Sequence, residues 1–273
     1  LVWMLTDANA GPGTSEFSVD GGDLLMAGMT LAARHGGTLG IELTPPTKCV
    51  DLVPLPGTRG WTGARTEWKT LAWTYRGGAR EGLAGAAEEW ARRGGAGDYR
   101  VSEANGVIHL IPTTRHAPDG TSVPYASPLD TTVHLSSAKG DVLDLLKEIA
   151  RAIGTPELPF DVNIDMMQVG PEDFLVDLPS DTGTARDLMD WITVRSGNSW
   201  WAVNCVPGLG PTELMPDVAS DQVACMLRVF TCRPEDEWWG NAASINPGAP
   251  PAPPIRPAPP PTGECAPSPP SRH

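Results

Sequence analysis

The stretch "TGTARDLMDWITVRSGNSWWAVN", Thr182 to Asn204, has a loose copy earlier in the chain, "RGGAREGLAGAAEEWARRGGAGDYRVSE", Arg76 to Glu103. Each runs from a turn into a helical pattern whose apolar positions fall on one stripe. That stripe is Leu83, Ala87 and Trp90 in the earlier copy and Ala185, Leu188, Met189 and Ile192 in the later one. Each pattern stops at glycine and passes into an alternating segment that reads as a strand. Arg80-Glu81 and Arg186-Asp187 recur just inside the two helix starts, where an acid suits the positive end of the helix dipole. A recurrence at that place argues for folding.

Working outward, the same order of elements flanks both copies. In the first half "SEFSVDGG" alternates as a strand, and "DLLMAGMTLAARHGG" follows as a helix with Asp23 placed to cap it and Gly36-Gly37 to end it. Then come "TLGIEL", a Pro- and Gly-rich loop, the strand "EWKTLAWTYRGG" and the quoted helix. Two closing strands, "DYRVSE" and "GVIHLIP", turn through Ala104-Asn105-Gly106. In the second half "TTVHLSS" precedes "GDVLDLLKEIARAIG", a helix with Asp141 as cap and Val142, Leu145, Leu146, Ile149 and Ile153 on one face. Strands "FDVNID" and "EDFLVDLP", the quoted helix, "SWWAVN" and "TELMP" complete it.

The expected fold class is therefore α+β: two tandem β-α-β-β-α-β-β units, each a small mixed sheet with two helices on one face. The units are placed at residues 14–113 and 129–216, joined by a linker at 114–128 where turn formers crowd. Residues 217–246 contain "QVACMLRVFTCR", which alternates like one more strand and either completes the second unit or caps it. Residues 247–273 are rich in proline, which lacks the amide donors of a packed element, and are expected to be a disordered, extended tail. Residues 1–13 begin with an apolar run and reach Ala8-Asn9-Ala10, which matches the small-residue pattern ahead of a signal-peptidase cut. An edge strand is the other reading of that segment.

The strand and amphipathic helix around "GDVLDLLKEIARAIG", followed by "VDLPSDTGTARDLMDWITVRSGNSWWAV", resemble the short N-terminal domain shared by secretins and TonB-dependent receptors. The resemblance covers roughly residues 14–113 and 129–216, as a tandem pair, and rests on apolar pattern and glycine placement. It implies a periplasmic adaptor or signalling module that contacts another envelope protein, and it brings no catalytic residues with it. A barrel or secretin core follows such domains in that family, whereas here the second unit is followed by about thirty residues and the proline tail.

Composition narrows the alternatives. A net charge of −13 among 273 residues disfavours nucleic acid, whose phosphates reward clustered Lys and Arg. No apolar run reaches the roughly 18 to 20 residues that span a bilayer. Five cysteines, Cys49, Cys205, Cys225, Cys232 and Cys265, match no zinc spacing. In an exported protein Cys205 would pair with Cys225 or Cys232, and buried free thiols are the other reading.

Few constellations suggest chemistry. In "DVNIDMMQVGPE" Asp161, Asn163, Asp165 and Glu172 have a calcium-loop spacing, but Met166 stands where the turn needs glycine, and the alternation also suits a strand with one wet face. His35, His109, His116, His134 and His273 are scattered, and His109 and His134 sit inside alternating strands, as satisfied sheet histidines do. Adjacent acids, Glu88-Glu89 and Glu172-Asp173, diverge on a helix or strand and make no glycosidase pair. No nucleophile elbow and no phosphate-binding loop occurs. Ten tryptophans include the pairs Trp200-Trp201 and Trp238-Trp239, and a strand puts one indole of each pair on each face. These four mark the candidate interaction surface, toward a protein partner or a sugar ring. The function expected is a non-enzymatic, exported envelope adaptor that takes no cofactor or metal. The alternative is a carbohydrate-binding or hydrolytic envelope protein using exposed Trp and carboxylates.

Overall fold

A computed structural model of the chain describes residues 16–21, 23–47, 53–54, 61–62, 71–164, 175–197, 200–207, 214–217 and 222–230. In the first half β1 (Glu16–Gly21), α1 (Leu24–His35) and β2 (Thr38–Glu42) are followed by the two-residue strands β3 (Val53–Pro54) and β4 (Trp61–Thr62). Then come β5 (Leu71–Arg76), α2 (Ala79–Arg92), β6 (Tyr99–Ala104) and β7 (Val107–Pro112). A small hairpin, β8 (Thr114–His116) and β9 (Ser122–Pro124), and a 3-10 turn at Pro128–Asp130 bridge to the second half. There β10 (Thr132–His134) and β11 (Lys139–Asp141) lead into α3 (Val142–Ile153) and β12 (Phe160–Ile164). The short β13 (Leu175–Asp177) and β14 (Thr182–Thr184), α4 (Ala185–Arg195), β15 (Trp200–Pro207) and β16 (Val223–Phe230) close the fold.

Among the described residues α1, α3 and α4 start where a short polar side chain satisfies one of the first free N–H groups, and α2 starts at Gly78, which has no side chain to do so. Asp23 accepts from Met26 N at 2.9 Å, and Asp141 accepts from Leu143 N at 2.9 Å. At α2 the Glu81 carboxylate accepts from Gly78 N at 2.8 Å, and at α4 Thr184 and Asp187 cap each other reciprocally. Thus the recurring acid at the third helical position does more than oppose the dipole, because it closes the first turn. Gly36 ends α1 with φ of 66°, a left-handed conformation that Cβ disfavours.

Six strands form one mixed sheet in the order β12-β16-β15-β2-β7-β6. In the first half β2 runs parallel to β7, and β7 is antiparallel to β6. In the second half β12 runs parallel to β16, and β16 is antiparallel to β15. The strands that precede the helices pair too: β1 with β5, β10 with β14 and β11 with β13, all antiparallel. The same pairings therefore recur in both halves. The halves meet where β15 lies parallel to β2, with Trp201 opposite Gly40.

Helices cover the two faces of this sheet in pairs. A Cβ at Gly28 of α1 would strike Ile41, which places the first half's helices on the Ile41 face of β2. Gly40, the preceding residue, faces the other way. On that side α3 and α4 bury Leu145, Leu146, Ile149, Leu188, Met189 and Ile192 against Trp201, Val203, Leu227 and Val229. Full burial of a Leu or Ile contributes roughly 1.5–3 kcal/mol, so this layer holds much of the second half together.

Several expectations need correction. The fold is a mixed α/β fold, but the six-stranded sheet is continuous across both halves, and every described residue belongs to one compact unit. Each helix pair does lie on one face, and the two pairs occupy opposite faces. Leu214 to Pro216 of "TELMP" are not strand, and Thr212 and Glu213 lie outside the described residues; the segment after residue 217 supplies β16, which lies between β12 and β15, inside the sheet of the second half. The segment 114–128, read as the linker, carries the hairpin β8-β9 and leads into the 3-10 turn at Pro128–Asp130. Residues 1–13 and 247–273 lie outside the described residues.

Candidate functional site

The most concentrated polar chemistry sits on the seam between the halves. Trp201 of β15, Gly40 of β2 and His109 of β7 stand in one row across three neighbouring strands. A Cβ at Gly40 would fall 2.4 Å from the indole and 2.6 Å from the imidazole, so glycine lets the two rings approach over the middle strand. Their centroids are 5.8 Å apart.

Above this row α4 presents Asp190. Trp201 Nε1 donates to Asp190 Oδ1 at 2.8 Å, and His109 Nε2 is bonded to the same oxygen at 2.8 Å. Asn105 Nδ2, from the β6-β7 turn, donates to Asp190 Oδ2 at 3.1 Å and to Asp187 Oδ1 at 2.9 Å. One buried carboxylate thus gathers donors from β15, β7 and the hairpin turn. Burial raises the Asp187 carboxyl, but hydrogen bonds from Thr184 and Asn105 outweigh it and hold the group below its ordinary value.

A second cluster lies beside the first. Arg186 Nη2 donates to Glu42 Oε2 at 2.9 Å and to Ser127 Oγ at 3.2 Å, while its Nη1 donates to Asp130. The Ser127 hydroxyl donates to Glu42 Oε1 and accepts from Leu129 N at 2.9 Å. Burial pushes the Glu42 carboxyl above its ordinary value against the opposing pull of Ser127 and Arg186. Burial likewise pulls Arg186 down, but the charges of Glu42 and Asp130 and the hydrogen bonds to them together outweigh it, so the guanidinium is held above its ordinary value. The Tyr125 hydroxyl is raised by burial and by the nearby Glu42 charge.

Chemically, His109 and Asp190 have the geometry of a base and its orienting acid. Each side chain is 1% exposed, which closes the pair to a substrate, and among the described residues no serine, threonine or cysteine is hydrogen-bonded to His109. The seam is built to join α4 of one half to β2, β7 and the β6-β7 turn of the other.

The candidate surface residues fare differently. Trp200 and Trp201 are both fully buried, so neither is the exposed indole expected of this pair. Trp200 stacks on Phe230 with centroids 3.9 Å apart, and Trp201 is held by Asp190. The physical reason is that both faces of β15 are covered by helices, which the alternation rule alone does not reveal. Trp238 and Trp239 lie outside the described residues. Asp161 and Asn163 belong to β12, in strand rather than calcium-loop conformation; Asp165, Met166 and Glu172 lie outside. Among the described residues no group of three or more His, Cys, Asp or Glu is placed to hold a metal ion. His109 is the satisfied core histidine expected, and His134 bonds Thr182 Oγ1 at 3.0 Å on the surface.

Cys205 and Cys225 form a disulfide between directly opposed positions of β15 and β16. Cys232 lies outside the described residues. No helix among these residues is long and apolar enough to cross a membrane.

The seam residues Gly40, Glu42 and Asp190 escaped the sequence reading. Two signals pointed to them: a lone glycine inside an apolar strand, and an acid flanked by the apolar residues Met189 and Trp191 on a helix. Comparison with known proteins adds no assignment, since no protein family, no characterised protein and no solved structure matches the chain.

Proposed function

We propose that this chain is an exported, non-enzymatic cell-envelope adaptor built from two copies of one small β-α-β-β-α-β-β unit. The observation that carries the reading is the parallel junction of β15 with β2, where the edge strand of one half completes the sheet of the other. Modules that add strands edge to edge are suited to binding other proteins by the same means. The recurrence of β2-β7-β6 pairings in β12-β16-β15 supports the duplicated unit. The Cys205–Cys225 disulfide suits an oxidising compartment such as a periplasm or the cell exterior. The resemblance to the short N-terminal domain of secretins and TonB-dependent receptors points to the same role.

The adaptor reading is tested by affinity capture from an envelope extract of the source organism, using the full chain and a form ending at Ala243. One envelope protein retained in fixed ratio by both forms assigns binding to the folded halves. Loss on truncation moves it to the tail, and recovery of nothing specific sinks the adaptor reading. With Trp200 and Trp201 buried, the carbohydrate-binding or hydrolytic alternative falls to Trp238, Trp239 and the carboxylates.

A further inference from the structure

The junction inside this molecule joins two different edges, and the two ends of the six-stranded sheet present the same two kinds of edge again. The strand β15, which follows the second helix of its half, pairs with β2, which follows the first helix of the other half. At one end of the sheet stands β6, the first-half equivalent of β15. At the other stands β12, the second-half equivalent of β2. We propose that β6 of one chain pairs in parallel with β12 of a second copy of this chain, so that copies add head to tail into an open-ended assembly. The inference rests on the two-unit reading above.

The directions and hydrogen-bonding groups agree with this pairing. Within the sheet β6 and β12 both run antiparallel to β2, so a second copy in the same orientation meets the edge with the parallel sense that β15 and β2 already have. The tight Asn105-Gly106 turn makes Ala104 and Val107 a hydrogen-bonded pair, which turns the N–H and C=O of Val101 and Glu103 away from β7. At β12, Cys225 N donates to Pro159 O, so Asp161 faces β16 and the backbone of Phe160 and Val162 faces outward. In β2 the corresponding outward groups meet β15, as Leu43 N does in donating to Val203 O at 2.9 Å.

Side chains follow the same scheme. Phe160 packs into the core under α3, so Asp161 projects from the opposite face. In the internal junction that face of β2 lies under α4, where Arg186 pairs with Glu42. Arg80 occupies in α2 the place of Arg186 in α4, next to the capping acid. It is 57% exposed and held by a 3.8 Å contact to Glu103. In the assembly it comes over the face bearing Asp161. Until then Asp161 Oδ1 accepts from its neighbour's N–H, Val162 N, at 2.7 Å, and this local bond caps the edge in the separate chain. Because the ends are unlike, pairing leaves one free edge of each kind and does not close.

The test is sedimentation velocity on the full chain over a wide concentration range, in enough salt to screen the −13 net charge. The weight-average mass is expected to climb without a plateau past twice the 28.9 kDa of one chain. Glu103→Pro removes an outward donor at β6 from an exposed position, and Asp161→Lys opposes Arg80 at β12. Each variant alone retains one working edge and is expected to stay a single chain, while an equal mixture gives two-chain particles and nothing larger. As a charge swap, Arg80→Glu combined with Asp161→Lys in one chain is expected to restore growth that either change alone abolishes. Circular dichroism confirms that each variant is folded. A mass fixed at one chain, a plateau at two chains, or growth that persists in Glu103→Pro overturns the proposal. A single-chain mass together with a captured envelope partner rejects self-assembly and leaves the adaptor reading standing, and growth without any captured partner does the reverse.

Discussion

Arg186 and Glu42, separated by 144 residues, are ion-paired at 2.9 Å with side chains 12% and 1% exposed. The pair belongs to neither half alone, since Glu42 ends β2 and Arg186 stands in the first turn of α4. Together with the Asp190 cluster it makes the seam a place where tertiary contacts, not local propensity, decide stability. Four predictions follow from its chemistry and from the disulfide beside it.

Gly40→Ala is expected to destabilise the fold by about 1–3 kcal/mol, the usual cost of forcing atoms into a packed site. The added Cβ meets two rings that are each pinned by Asp190, so neither moves aside freely. Urea unfolding followed by Trp fluorescence measures it. An unchanged midpoint would mean that Trp201 and His109 do not meet over β2.

Asp190→Ala removes the shared acceptor of Trp201, His109 and Asn105 while leaving those donors in place. Breaking a buried charged network by deleting one member costs about 3–5 kcal/mol. Asp190→Asn keeps one carbonyl oxygen and is expected to lose less. Equal losses in the two variants, measured by chemical denaturation, would show that packing and not hydrogen bonding is the role of this residue.

The raised Glu42 carboxyl gives a pH dependence with a defined sign. Between the ordinary carboxyl value of 4.5 and its higher folded value, the folded chain keeps a proton that the unfolded chain has released. This group's contribution to stability is therefore full below that window and falls as pH rises through it. Glu42→Gln has no proton to release. Its thermal midpoint is expected to gain on the parent's as pH rises through the window, and a difference that stays flat would contradict the burial of this carboxyl.

The disulfide closes a sequence separation of 20 residues between β15 and β16. Chain-entropy arguments assign such a loop about 3 kcal/mol. The paired replacement of Cys205 and Cys225 by alanine is expected to lower the thermal midpoint by about 6 to 12 °C for a domain of this size. Calorimetry of the oxidised parent and the double variant checks it, and a shift within error would mean that the strands hold their register without the bond.

Local chemistry carried a good part of the fold in plain view. Asp23 and Asp141 mark helix starts, Gly36 marks an end, and the stripes Leu145, Leu146, Ile149 and Leu188, Met189, Ile192 name the buried faces, all through interactions within a few residues. Alternation likewise located most of the strands, because period two is a property of the backbone itself. What the amino-acid order did not reveal was which strand lies beside which. That β15 completes the sheet at β2, that β16 stands between β12 and β15, and that Trp200 and Trp201 are both covered are outcomes of long-range pairing. The seam follows from the same cause: Gly40, His109, Asp190 and Trp201 acquire a shared purpose only when four elements distant in the chain come together. The sequence by itself determined the elements, since helices and strands are selected by short-range sterics and hydrogen bonding. Only the tertiary structure decided the single continuous sheet and its buried polar seam, because strand neighbours and buried charge partners are chosen by the packing of the whole.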